Sequence, residues 1–365
     1  MGFFSRGKDE DGEQAEALAR IEAGGIPPRA QERLRALGTD GSLFTSGLSV
    51  NEFALLDRLG PEPLAQVMGA SVVRPGWQYL PALEPGEVVI ARVSGRVGAG
   101  LGPSSTGQAL LNRMTEASPS QIRNYKWHAA VVCELDVLTN AWNLARRRAL
   151  DRLAEEALQV GADAVVGVRL QRSDHDLGKG LIECIVTGTA IRDPGADPSA
   201  WPVLTDVSVQ DYWRLRSAGH KPVGLVATTA VTFAAAALDT RLRRMRTPAQ
   251  NRELAELSEA FQAAREAVRA GLRGQVADAH ASGVVGVELS HSVHRDKFSL
   301  ASSIGSQTHR GWHAGRWGIP YYVRGRADAD RKGWVITMHA AGTAIRPAQQ
   351  PPEFPVKTQI RIGAK

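Results

Sequence analysis

Cysteine is scarce: the 365 residues contain two, Cys133 and Cys184. That is too few for a disulfide framework and fits a reducing compartment. No Cys-x-x-Cys or Cys-x-x-His spacing occurs, which excludes the usual structural zinc site. Long apolar runs are missing too. The best candidate, residues 222–238 (PVGLVATTAVTFAAAAL), falls short of the ~20 apolar residues a spanning helix needs and is rich in Ala and Thr. It reads as a strand running into a helix start, so no transmembrane segment is expected. The opening MGFFSR lacks the apolar core of a signal peptide and puts Arg6 where a myristoylation signal takes Ser or Thr. Catalytic patterns are absent as well. There is no Gly-x-Ser-x-Gly elbow, no cysteine with a plausible partner pattern and no repeated carboxylate pair. The expectation is a cytoplasmic protein that is not an enzyme.

The composition that remains, 43% hydrophobic and 22% charged, places the chain among soluble globular proteins of about two domains. A net charge of +6 permits an acidic partner without demanding one.

One pattern occurs twice. LFTSGLSVNEFALLDRLGPEPLAQVMGASVV (43–73) is matched by PVLTDVSVQDYWRLRSAGHKPVGLVATTAVT (202–232). Ser49-Val50 pairs with Ser208-Val209, Gly60 with Gly219, Pro63 with Pro222 and Val67 with Val226. A long helix follows each opening. In the first, Leu144, Leu150, Leu153, Ala157 and Val160 form a stripe. In the second, Leu254, Leu257, Phe261, Ala264 and Val268 do so, with Arg265 and Arg269 facing outward. Each helix runs into Val-Val-Gly-Val (165–168 and 284–287), and each copy closes with a strand ending Gly-Thr-Ala-Ile. Gly161 suits the left-handed residue that ends a helix. The valines suit a strand buried on both faces, and Gly167 inside it suggests close approach by another backbone or helix. A phosphate loop would need the reverse order, strand before helix. In the second copy His280 replaces Gly161 and Ser282 replaces Asp163, which predicts a differently built turn. Extra sequence enters at 74–140 in the first copy and at 294–333 in the second.

These blocks resemble the YbjQ-like family, whose domain carries a heavy-metal-binding name. The resemblance covers most of 43–192 and, in more divergent form, 202–346. It implies an α+β fold of two tandem YbjQ-like (dodecin-like, β/α-propeller-forming) domains that assemble into pentameric rings. The segments are then an N-terminal helical arm (1–42), domain 1 (43–192), a linker (193–201), domain 2 (202–347) and a Pro-rich tail (348–365). A homo-oligomeric ring is expected and a nucleic-acid partner is not. The function implied is a non-enzymatic oligomeric scaffold or binding protein of that family. No cofactor is expected beyond the divalent metal that the family name allows.

Two residue sets are the candidates for ligand contact. The family name directs attention to the histidines His291, His294, His309 and His313. The first two are three apart in a strand, a spacing that sends them to opposite faces. The second pair has helical spacing, but Gly311 and Gly315 oppose a helix. Arg241, Arg243, Arg244 and Arg246, in TRLRRMRTPAQNR, could meet phosphates or an anionic surface, which gives the alternative function of binding an anionic partner. Cys184 aligns with Met338 and reads as a small apolar core residue. HRGWHAGRWGIPYYVRGR (309–326) has the aromatic and arginine content of an interface or of a docked hairpin.

Overall fold

A computed structural model describes residues 6–37, 44–81, 88–93, 122–127, 130–175, 180–194, 196, 200–236, 251–300, 309–314, 320–327 and 330–348. They form a mixed α and β structure. Helices α1 (Arg6–Glu22) and α2 (Pro28–Leu37) come first, separated by Gly24, whose φ of 103° ends the first helix. The Ser-Val of each opening block starts a helix. Ser49 caps α3 (Val50–Leu59) in a capping box: its Oγ accepts the Glu52 N–H, while Glu52 accepts the Ser49 N–H. Gly60, at φ 97°, ends that helix. Ser208 caps the corresponding helix, Val209–Ser217, through the Asp211 N–H.

Strands β1 (Glu62–Val73), β7 (Leu181–Arg192) and β6 (Ala164–His175) form an antiparallel sheet, which the short parallel strand β8 (Val203–Leu204) extends. A second sheet has the order β2-β10-β13-β9-β5. Its main strands are β9 (His220–Ala235), β13 (Asp330–Pro347) and β10 (Gly283–Leu300), with β2 (Tyr79–Leu80) and β5 (Val131–Glu134) at its edges. The segment checked for membrane spanning is therefore mostly strand β9. No helix among the described residues is long and apolar enough to cross a membrane. The extra sequence of both halves meets in a third sheet. There the hairpin of β11 (His309–Ala314) and β12 (Pro320–Ala327) lies beside β4 (Ile122–Trp127) and β3 (Val88–Val93).

The two long helices are α4 (Asp136–Gln159) and α6 (Ala255–Asp278), with α5 the Val209–Ser217 helix between them. The first sheet, α4, the second sheet and α6 stack in that order. Gly69 on β1 lets α4 rest backbone to strand: a Cβ there would lie 1.9 Å from the Ala149 carbonyl oxygen. Across α6 the small residue is on the helix instead, where Gly271 lies over Thr228. The principal core is continuous across both halves. It joins Val67, Leu153, Val165, Val168 and Val186 to Val231, Phe233 and Val335. A second cluster lies under α6, and a third packs α3 and α5 on Ala164, Val166 and Ile191. The arm is tied to α4. Arg152 donates to the carbonyls of Ile21 and Gly25, and Ile26 is fully buried.

Two expectations are corrected. At Gly167 nothing lies within 4 Å of the Cβ position, so close approach is not what requires the glycine, although its N–H bonds the Val207 carbonyl. Its role is a left-handed φ of 61° at a β-bulge, where the register with β7 shifts between Val166 and Arg169. Gly286, at φ 67°, does the same between Val285 and Glu288. The bulge turns Val165 and Val168 into the same core, which is why the motif reads Val-Val-Gly-Val. The helix-to-strand turns also prove alike. His280 adopts a left-handed φ of 48° where Gly161 has 75°. Ala162 N–H bonds Ala157 O and Ala281 N–H bonds Val276 O, both at 3.0 Å. The helix geometry imposes the turn and His280 tolerates it.

Candidate functional site

Helix α4 carries a row of polar residues into the seam between the sheets. Thr229 stands opposite His339 on β9 and β13. Asn143 spans the exposed edge of β9: its Oδ1 accepts the Thr229 N–H and its Nδ2 donates to the Thr229 carbonyl, both at 3.0 Å. Buried Arg146 donates to Thr229 Oγ1 at 2.8 Å and to Asn143 Oδ1. Thr229 Oγ1 lies 2.8 Å from His339 Nδ1. The ring's partner is a hydroxyl that also accepts from Arg146, an arrangement that suits a neutral ring beside a charged guanidinium. Trp142 packs edge-on against that ring, centroids 4.9 Å apart.

The electrostatics agree. Burial, together with Arg172 and Arg146, pushes the His339 pKa down to about 3. Burial brings Arg146 down to about 10, so it stays charged at neutral pH. Among the described residues no carboxylate pairs with it. Arg172 donates to Ser290 Oγ across the seam at 3.2 Å. Cys184 lies within the field of both arginines, yet burial raises its thiol to about 11. The thiol is thus protonated and a poor nucleophile. Asn143 and Arg146 of α4 and the neighbouring His339 all bond Thr229, and these contacts lock α4 to the second sheet.

A second lock fastens the chain after β7. Buried Asp193 accepts from the Tyr212 hydroxyl at 3.1 Å and from Arg216, and its N–H reaches Asp163 Oδ2. Burial and Asp193 raise the Tyr212 pKa. The start of the segment read as a linker is therefore anchored in the fold. Asp163 earns its carboxylate through this contact. Ser282 instead uses its hydroxyl on the Ile345 carbonyl, at 3.0 Å.

Of the sequence-derived candidates, the structure describes the side chains of His291 and His294. His291 and His294 are exposed residues of β10, opposite Met338 and Val335. His291 packs on Phe261 of α6, centroids 5.3 Å apart, and strand alternation sends His294 to the other face. His309 and His313 are residues of β11, so the strand replaces any helical arrangement, and their side chains lie outside the described residues. Among the described residues no group of three or more potential ligands could hold a metal. Arg241, Arg243, Arg244 and Arg246 lie outside the described residues. Sequence reading missed Asn143, Arg146, Arg172, Thr229 and His339. The available signal was polar residues inside apolar patterns, with Asn143 and Arg146 interrupting an alanine-rich helix and Thr228-Thr229 interrupting an apolar strand.

Comparison with known proteins gives two kinds of match. Residues 126–193, from the end of β4 to just past β7, match the family described as "Putative heavy-metal-binding". Two UPF0145 proteins of Halobacterium salinarum are 47% identical over 58 residues, 16% of this chain and 54% of theirs. A UPF0145 protein of Actinobacillus pleuropneumoniae is 45% identical over 49 residues, 13% of this chain and 46% of its own. The other match is far longer. An encapsulin nanocompartment protein of Mycobacterium tuberculosis is 29% identical over 301 residues, 80% of this chain and 95% of that protein. No solved structure matches. The family model thus matches one stretch, in the first half of the chain, and the expected second copy is not matched. The expected function, a family-type scaffold or binding protein with an anionic partner as alternative, is overturned by the longer match, which relates 80% of the chain to a nanocompartment protein.

Proposed function

We propose that this protein is a structural subunit that self-assembles into a closed protein compartment. The observation that carries the proposal is the similarity to an encapsulin nanocompartment protein, which spans 95% of that protein and therefore concerns its whole architecture. The seam supports a structural role, since its histidine and thiol are held neutral and occupied by packing. The chain is read as two copies of one unit, 43–192 and 202–347, with the arm (1–42), the linker (193–201) and the tail (348–365) outside them. Support comes from the shared order of helix, strand, long helix and two strands, and from bulges at matching glycines. Assembly through unlike patches gives rings, the expected form of oligomer, where the rotation between neighbours closes. Two free cysteines with thiols raised to about 11 suit a cytoplasmic setting.

Light scattering and negative-stain electron microscopy of the full chain test this reading. Closed particles many times the 39.2 kDa chain mass are expected. A monomer at every concentration overturns it.

A further inference from the structure

Several residues by which the first half grips the second have exposed counterparts. On α4, Thr139 Oγ1 accepts the Val231 N–H at 3.0 Å, beside the Asn143 bridge to Thr229. The same places on α6 hold Ser258 and Gln262, and Arg265 stands where α4 has Arg146. Gln262 and Arg265 are exposed. The strand positions behave likewise. Ala227 and Val231, facing α4, are 2% and 1% exposed, whereas Met68 and Val72, their counterparts on β1, are 45% and 59% exposed.

The second edge repeats the contrast. Beside β6, the chain at 203–207 accepts the Gly167 N–H on Val207 O and the Val168 N–H on Thr205 O, both at 2.9 Å. Beside β10, no strand among the described residues covers Gly286 and Val287, since β2 pairs only with Ser299 and Leu300. Val168 is 3% exposed and Val287 48%. Residues 44–48 precede α3 as 203–207 precede α5, and they make the matching bond: Gly47 N–H to Thr189 Oγ1, as Asp206 N–H to Thr343 Oγ1.

We infer that these surfaces are the two sides of one interface between copies of this chain. Helix α6 and the open edge of β10 of one copy cover the outer face of β1 and residues 44–48 of the next, repeating the packing of α4 and β6 on the second half. This rests on the self-assembly reading and adds which faces meet. The occupant is a second copy because both sides are on the same chain and match a packing already formed within it. The patches are unlike, so the contact is head-to-tail. In that contact Ser258 lies beside Val72 and Gln262 beside Ala70, whose carbonyl accepts from Arg152 where the Thr229 carbonyl takes Asn143.

The test mixes full-length Ala70→Cys chains with Gln262→Cys chains under mild oxidation, with the unaltered protein as the background for Cys133 and Cys184. A disulfide-linked dimer is expected in the mixture and in neither variant alone. A variant carrying both cysteines should give a ladder. Val72→Arg, at a position exposed in the single chain, should leave the melting of that chain unchanged and stop closed particles from forming. Particles that persist in Val72→Arg, or that form without the 70–262 disulfide, overturn this interface while leaving self-assembly standing. A monomeric unaltered protein overturns the self-assembly reading itself, and the interface with it.

Discussion

Helices α4 and α6 have the same length, 24 residues, and the same place in their halves, yet they live in different surroundings. Helix α4 is enclosed by two sheets and buries alanines, Trp142, Leu153 and three charged residues, Arg146, Arg152 and Glu156. Helix α6 buries only Ala260, Ala264 and Val268. An amphipathic stripe therefore described α6 correctly, with Arg265 and Arg269 outward as expected. It described α4 too narrowly, because a helix between two sheets has no solvent side over much of its length. Burial of Asn143 and Arg146 is tolerable only because the β9 edge offers them partners.

The largest effect that would break the comparison is at Gly69. A methyl group there collides with the α4 backbone rather than with a movable side chain. Gly69→Ala should destabilise the chain by about 3 kcal/mol or more, at the upper end of overpacking costs. Gly271→Ala meets only the Thr228 side chain and should cost roughly half as much. Denaturant titration of both variants measures the difference. Equal costs would mean that α4 can lift off β1 as readily as α6 adjusts.

Next is Asn143→Leu, which strands the Thr229 N–H and carbonyl in the seam. Leaving these groups and Arg146 short of partners should cost roughly 2–3 kcal/mol. Gln262→Leu, at the exposed counterpart, should stay within about 0.5 kcal/mol in the single chain. Thermal melts at a concentration where the chain is monomeric separate the two.

The seam also sets a pH dependence that the outer face of β1 lacks, because Ile185 stands where the second sheet has His339. The folded pKa of His339 is depressed to about 3 from 6.5. Below pH 6.5 the unfolded chain takes up a proton that the folded chain refuses until about pH 3. The stability this group contributes is thus complete above pH 6.5 and is lost as pH falls toward 3, at about 1.4 kcal/mol per pH unit. His339→Asn keeps an acceptor near Nδ1 and should flatten the stability curve between pH 7 and 5. An unchanged slope would assign it to other groups.

Much of the fold was legible because its punctuation is local. Ser49 and Ser208 start helices, Gly60 stops one, and the valines of 165–168 and 284–287 mark strands. The stacking of the halves was not legible. It depends on a strand from one half offering its edge to a helix of the other, and residues such as Asn143 and Thr229 lie 86 positions apart. The seam was hidden for the same reason, since Thr229 and His339 look like interruptions of apolar strands until they are placed face to face. Strand periodicity separates His291 from His294, a constraint the sequence already carried.

The smallest effect lies at the two helix ends, where the halves converge on one geometry from different residues. Gly161 reaches its φ of 75° without a Cβ clash, whereas His280 holds 48° with one. A left-handed residue other than Gly costs roughly 1 kcal/mol. His280→Gly removes that clash but loosens the unfolded chain, so the net gain should be about 0.5 kcal/mol. Gly161→Ala introduces the clash and should lose about 1 kcal/mol. Opposite signs in paired chemical melts would show that both turns demand the left-handed conformation. A loss at both positions would mean that the His280 side chain contributes packing that outweighs its backbone strain, and the two turns would then differ in energy despite sharing a shape.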